Sequence, residues 1–404
     1  MALWAVKMFL VAGALLLFQS VCAFLDGIRF LQLVRKSCES PQGSYTPAAA
    51  VVIPCKGVDA GFDANVDHFL HQEYPAYQVV FVVATSEDLA YQRLRDQLAR
   101  PVAAGVIRNL QTSLVVAGVA GERGEKVNNL LRGVEAVNPG CELWVFADID
   151  ATPSSHWLRS LVAPLASPEV TVSTGFRWYL PGQGFVSRLR AAWDTSIATT
   201  MPNHNIVWGG STAIRARDFR KLRIGERYWA STVSDDYAVA RAVADAGGEI
   251  AFAPRCLVAS REESGLWEFL RWSTRQIILT RVYAAHLWRL GLATYLLYCG
   301  TFILGLVVMT FPSATTSQRV TVVAILATVL GLGAAKGYIR SRVARRLFAL
   351  ETGASCYWQL SPLVPWVMLG NFVVAGFARR IEWRGTEYEL ISRDKVRVVR
   401  RSGG

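Results

Sequence analysis

The stretch that constrains this 404-residue chain most is Leu-Trp-Val-Phe-Ala-Asp-Ile-Asp, residues 143–150. A short apolar run rich in β-branched and aromatic residues predicts a strand buried on both faces, as in a parallel sheet. It ends on two carboxylates, Asp148 and Asp150, with one residue between them. Ligands in open α/β sheets bind beyond the carboxyl ends of the strands, so both acids stand where chemistry is normally done. Together they can help hold one hard cation, because Mg²⁺ is usually held by one or two carboxylates plus substrate phosphates. Taken alone, the same residues read equally well as a strand end that caps a helix starting near Pro153.

The flanking sequence repeats strand, turn and helix. Residues 48–53 form a first strand stopped by Pro54, and Cys55-Lys56-Gly57 makes a turn at its carboxyl edge where a nucleotide can rest. A helix near 62–71, strands at 77–84 and 113–117, and a helix opened around Glu125-Lys126 lead into residues 143–150. Strands separated by helical crossovers imply an α/β domain with a parallel-dominated sheet of nucleotide-binding type. Residues 170–174 read as another strand and 184–199 as a helix; Gly209-Gly210 permits close approach of backbone to a ligand. Ser234-Asp235-Asp236 opens an amphipathic helix. As structure this is an N-cap with acidic first-turn residues; as chemistry, one carboxylate faces the cleft as a general base. His204 reads as a surface residue of a loop.

Residues 8–24, 292–311 and 320–335 are apolar runs of membrane-spanning character, the last slightly short. The first is either a secretory signal peptide or, as preferred here, a signal anchor. Arg29, Arg35 and Lys36 follow it and would hold the next domain in the cytoplasm. A basic stretch at 336–346 reads as a cytoplasmic loop, and 357–377 as a full span or as a re-entrant or interfacial hairpin broken by Pro362 and Pro365. The expected organisation is a membrane anchor (1–36), a cytosolic catalytic domain (37–263), an interfacial helical segment (264–291), a C-terminal membrane region (292–378) and a basic tail (379–404). Most of the excess behind the net charge of +12 sits beside membrane segments, so the expected partner is an anionic membrane surface and not nucleic acid. Seven scattered cysteines with no Cys-x-x-Cys pair fit a reducing compartment and argue against a zinc site.

The ordered set Lys56-Gly57-Val58-Asp59, Tyr74-Pro75, Glu87-Asp88, Lys126-Val127-Asn128-Asn129, Asp148, Gly210-Ser211, Asp235-Asp236-Tyr237, Arg271-Trp272 and Trp383-Arg384-Gly385 with Tyr388 covers residues 50–390. In this order it resembles the inverting, nucleotide-sugar-dependent family 2 type glycosyltransferases, and among them the ceramide glucosyltransferases. The resemblance implies a glycosyltransferase A-type fold and a UDP-glucose donor. It makes Asp88 or Glu87 a uridine-side carboxylate, Asp148 and Asp150 the site of Mg²⁺ or Mn²⁺ and the diphosphate, and Asp236 the base. Arg271 and Trp272 match the family's Gln/Arg-x-x-Arg-Trp element, whose first position is here Glu268, an acid that cannot donate to a diphosphate unless protonated. The reaction so implied moves glucose to a lipid hydroxyl, most simply ceramide, with Lys126 or Arg271 steadying the leaving diphosphate. A glucosyltransferase acting on diacylglycerol or a hopanoid-like lipid, a processive polysaccharide synthase and an inactive membrane scaffold are the competing readings.

Overall fold

The structure, a computed structural model, describes residues 2–40, 43–100, 109–349 and 353–401. Its elements run α1 (Ala2–Glu39), β1 (Ala49–Pro54), α2 (Phe62–Leu70), β2 (Tyr77–Val83), α3 (Leu89–Leu98), β3 (Leu110–Val116), α4 (Glu125–Glu135), β4 (Leu143–Ala147), α5 (Trp157–Val162), β5 (Val170–Tyr179), α6 (Phe185–Ala198) and β6 (Ser211–Arg215). They continue with α7 (Ala216–Lys221), α8 (Asp235–Asp245), β7 (Glu249–Ser260), α9 (Leu266–Tyr283), α10 (Ala285–Thr310), α11 (Thr316–Phe348), α12 (Cys356–Gln359), α13 (Val364–Phe377), β8 (Arg380–Trp383), β9 (Thr386–Ser392) and β10 (Lys395–Arg401). Residues 36–178, 201–260 and 379–404 form one compact unit, and residues 1–35, 179–200 and 261–378 a second.

The first unit is built on a seven-stranded sheet in the order β3-β2-β1-β4-β6-β5-β7. β1 lies parallel to both β2 and β4, β2 lies parallel to β3, and β6 runs antiparallel to β4 and β5. The chain therefore winds outward from β1 to β3 and returns to the other side of β1 as β4. The gap between β1 and β4 is the switch point at which such sheets bind ligands. Both strands read as continuous apolar runs because both faces are covered. Val51, Ile53, Leu143 and Val145 point into a core shared with α2 and α5. Val52, Trp144 and Phe146 point into the opposite core, where Phe146 meets Trp229 edge to face at 5.2 Å. Helix α4 rides close on the sheet, since a Cβ at Gly133 would fall 2.3 Å from Val52. That contact packs the last turn of α4 against β1 and β2.

Residues 379–401, read from sequence as a basic tail, fold as a three-stranded antiparallel sheet in the order β10-β9-β8 and belong to this same unit. Ile381, Tyr388, Leu390 and Val396 supply its buried side chains, while charged neighbours alternate outward.

In the second unit α1, α10 and α11 are each long and apolar enough to cross a membrane. Trp4, Met8, Phe18, Leu306 and Val320 are exposed along them, the arrangement expected of helices whose solvent is lipid. Val6, Phe9, Val308 and Val322 form the contact the three helices share. The basic stretch 336–346, expected as a loop, instead continues helix α11, with Arg340 buried against the Ala192 carbonyl. A capping box at Thr315 and Gln318 starts that helix, and residues 336–346 contain no glycine pair or proline to stop it. Residues 357–377 divide at Pro362 and Pro365 into the end of α12 and the whole of α13. At 14 residues α13 is about 21 Å long, short of a hydrocarbon core of about 30 Å. Its Asn371 accepts from the Trp193 indole and donates to Ser273 and Thr274, which satisfies a polar group in an apolar setting.

Candidate active site

A cleft opens at the β1/β4 switch point, with about 100 Å³ of space accessible to water. The turn after β1 contributes Cys55 and Lys56, the first turns of α4 contribute Glu125, Lys126 and Asn129, and the end of β4 contributes Asp148, Ile149 and Asp150. The loop and strand that follow β8 add Arg384 and Tyr388, beside Trp383. Every one of these residues lies in the sheet unit.

Lys126 is the hub. Its ammonium lies 2.8 Å from Asp148 Oδ1 and 3.2 Å from Asp235 Oδ1. Burial works to lower its pKa, but the carboxylates of Asp148, Asp235 and Asp236 outweigh burial and hold it above the ordinary lysine range. Asp235 experiences the opposite balance. Burial raises its pKa, Lys126 pulls it down, Asp236 and Asp148 push it up, and it settles at about 7. Three acids thus share one lysine, a shortage of positive charge around the end of β4.

Arg177, on β5, supplies a second cation. Its guanidinium forks onto Asp150, at 2.5 Å and 3.2 Å, and reaches Asp148 Oδ2 at 3.4 Å. Burial alone would raise the Asp150 pKa, and Arg177 reverses the sign and holds it below the usual carboxylate range. The Arg177 guanidinium also lies 5.3 Å from the centre of the Trp208 ring, whose backbone amide donates to Thr174 Oγ1.

Gly209 and Gly210 are packing requirements of this cluster. A Cβ on Gly209 would sit 1.9 Å from Asp235 Oδ2, and one on Gly210 would sit 2.6 Å from Asp148 Oδ2. The sequence suggested that this pair admits a ligand. The close approach that the structure shows is to the protein's own carboxylates.

Lys56 pairs with Glu125 at 3.0 Å across the mouth of the cleft. Asp88 caps α3 by accepting from the Ala90 amide, and the same oxygen accepts from the Gly57 amide at 2.8 Å, so it ties the end of β2 to the turn that carries Lys56. Glu87 is held by Ser86 at the surface. Asp236 is half-buried; its Oδ1 accepts from the Tyr237 amide and from Ser234 Oγ. Arg271 and Trp272 lie on α9 of the helical unit, Arg271 exposed, and Trp272 edge-on to Tyr179 and Trp193 at 5.4 Å and 5.3 Å. His204 is exposed, as expected.

From sequence, Arg177 and Glu125 have no role, and Asp235 has only the first turn of a helix or a share, with Asp236, in an open choice of base. For Asp235 the signal was present, because successive residues at a helix start point about 100° apart, so two adjacent acids cannot share one environment. Arg177 carries no local signal, since its partners are 27 and 29 residues away. Among the described residues no group of three or more His, Cys, Asp or Glu could form a metal cage. Asp148 and Asp150 supply oxygen donors of the type a hard divalent ion accepts, with further ligands left to a phosphate or water. The Asn129 amide oxygen is buried in the cleft wall and has no hydrogen-bond partner among the described residues, the kind of orphan that a bound molecule satisfies.

The sequence model of glycosyl transferase family 21 matches residues 15–396. Among solved structures the chain is similar to a mannosyltransferase from Pyrobaculum calidifontis in complex with GDP-mannose and Mn²⁺. That likeness is at 15% identity and a TM-score of 0.46, over 90% of this chain and 97% of that one. It is also similar to glucosyl-3-phosphoglycerate synthase from Mycobacterium tuberculosis. In complex with phosphoglyceric acid that enzyme gives 17% identity and a TM-score of 0.39, over 60% of this chain and 86% of that one. In complex with Mn²⁺ and UDP-glucose it gives 16% identity and a TM-score of 0.38, over 62% and 82%.

Proposed function

Because the chain belongs to glycosyltransferase family 21, we propose that it transfers glucose from UDP-glucose to a membrane-lipid hydroxyl, ceramide foremost, with inversion at the anomeric carbon. The observation that carries this reading is the charge cluster at the end of β4, where Lys126 and Arg177 serve three carboxylates beside an open cleft. A nucleotide sugar presents a diphosphate to be bound and a leaving group to be stabilised, and a cluster with more carboxylates than cations would meet both needs through the divalent cation it can hold. The lipid acceptor is supported by three helices of membrane-crossing length in the same chain, exposed along apolar faces. The orientation that follows from Arg29, Arg35 and Lys36 after the first apolar run puts the sheet unit on the cytoplasmic side, where UDP-glucose is soluble.

In this reading Asp148 and Asp150 hold Mg²⁺ or Mn²⁺, which contributes positive charge at the diphosphate. Lys126 keeps its proton at any physiological pH and fixes the Asp148 carboxylate in position. Asp236 takes the proton of the acceptor hydroxyl as its oxygen bonds to the sugar carbon. The bond from that carbon to the diphosphate oxygen breaks, and its electron pair leaves on UDP. Attack from the face opposite the leaving group converts an α-linked donor into a β-linked product. Lys56 bounds the nucleotide side of the cleft and Asp88 holds the turn that carries it; a diphosphate role for Arg271 and Trp272, on α9 of the helical unit, rests on the family resemblance alone.

The test is an assay of detergent-solubilised protein with radiolabelled UDP-glucose and Mg²⁺ or Mn²⁺, offered ceramide and diacylglycerol separately and resolved by thin-layer chromatography. A single labelled band with ceramide is expected. A band with diacylglycerol alone changes the acceptor and keeps the chemistry. No lipid product with any sugar nucleotide overturns the proposal.

A further inference from the structure

The two-residue loop joining β8 to β9, Arg384-Gly385, has positive φ at both positions, 44° and 76°. This is the pattern of a type I′ hairpin turn, which favours asparagine or glycine at its first position because a bulky side chain there strains the backbone. Arginine contributes nothing to such a turn, so its presence asks what the side chain does. The side chain lines the cleft. Its guanidinium donates to the Lys56 carbonyl at 2.8 Å and to Asp59 Oδ2 at 2.6 Å. The carboxylates of Asp150 and Asp148 feel its charge.

We propose that the β8–β9 turn is a wall of the donor site and that Arg384 is a ligand of the donor's diphosphate, parked on Asp59 until the donor arrives. This inference rests on the glycosyltransferase reading above. Three cations line the cleft, Lys56, Lys126 and Arg384. Lys126 is locked between Asp148 and Asp235, the latter side chain only 5% exposed. Lys56 is matched to Glu125, 16% exposed. Asp59, the partner of Arg384, is 53% exposed. An ion pair so open to water costs little to break, so Arg384 is the cleft cation most readily given up to a ligand. A guanidinium also suits the task, because its planar fork matches two phosphate oxygens at once.

The wall is fixed in place. Tyr388 on β9 accepts a hydrogen bond from the Glu125 amide at the start of α4, and Asp394 pairs with Arg241 at 2.6 Å. The Val396 amide donates to Ser231 Oγ. The tail sheet is therefore pinned to the rest of the sheet unit at several points, and the turn between its first two strands cannot drift from the cleft without breaking them.

The test compares full-length solubilised wild type with Arg384→Asn and Asp59→Asn by calorimetric titration with UDP and with UDP-glucose, each with Mn²⁺, alongside thermal unfolding. Asparagine suits the turn better than arginine, so a merely structural Arg384 predicts unchanged or higher thermal stability and unchanged binding. The proposal expects R384N to bind UDP and UDP-glucose at least tenfold more weakly at undiminished stability, and D59N, which frees the guanidinium, to bind about twofold more tightly. Wild-type affinity in R384N overturns it. If R384N loses stability, D59N decides, and unchanged or weaker binding there overturns the proposal. Absence of binding by wild type to either ligand removes the donor reading itself, and this inference with it.

Discussion

Lys126 in the sheet unit and Arg190 in the helical unit are both basic side chains held against acids with little access to water. Arg190 is 3% exposed, bonded to Glu262 at 2.7 Å and to the Tyr179 hydroxyl, and sandwiched between the Tyr179 and Trp272 rings at 4.2 Å and 4.5 Å. The two rings stack on its guanidinium and Glu262 neutralises its charge. Lys126 faces two carboxylates with a third nearby, beside open space, and its neighbours include an acid whose pKa is pushed up to about 7. A charge enclosed by aromatic rings and one acid is satisfied and holds structure together. A cluster with more acids than cations, at the edge of a cavity, still attracts a cation.

Four substitutions sharpen that contrast. Asp148→Ala should reduce turnover by about a thousandfold or more while leaving the melting temperature nearly unchanged, because Lys126 keeps Asp235 as a partner. Steady-state rates beside thermal unfolding would show it, and a large loss of stability with modest loss of rate would break the contrast. Arg190→Ala should do the reverse, costing about 2–4 kcal/mol of stability through the lost pair and ring contacts, with donor affinity of the folded fraction unchanged. Denaturant unfolding and calorimetric titration separate the two effects. Gly209→Ala should cost about 1–3 kcal/mol and weaken donor binding as well, since the added methyl collides with Asp235.

The smallest effect concerns pH. Asp235 binds its proton more tightly in the fold than in the unfolded chain, where an aspartate titrates near pH 4. Its stabilising contribution is therefore complete below about pH 4 and is lost as pH rises through about 7. Asp235→Asn should flatten the decline in melting temperature between pH 5 and 8 relative to wild type. An equal slope in both proteins would show that Asp235 is not the titrating group.

Residues 143–150 revealed the end of β4 because burial on both faces forces a continuous apolar run, and a strand end forces the first polar side chains to appear together. β1 and β2 were readable for the same reason, and the observed strands differ from the expected ones by a residue at their ends. The tail sheet was not readable. Its strands bury only alternate residues such as Tyr388 and Leu390, and the arginines and glutamates between them look like a solvated charge run. Helix α6 was readable as a helix but not as part of the helical unit, because its buried face, including Arg190, Trp193 and Asp194, contains polar groups satisfied by distant partners. The cleft was legible where acids end a strand, as at Asp148 and Asp150. Arg177 was hidden because its partners arrive from far along the chain, and Arg384 was visible as part of a motif but its contacts with Lys56 and Asp59 were not.

The central claim is that this cleft performs glycosyl transfer with Asp236 as base. It is tested most directly by separating binding from chemistry in Asp236→Asn, with donor affinity measured by calorimetry and product formation from UDP-glucose and ceramide measured in a single turnover. The account predicts donor affinity within about twofold of wild type and a rate lower by about 10²–10⁴-fold. A variant that still forms product at the wild-type rate, or that fails to bind donor at all, contradicts it.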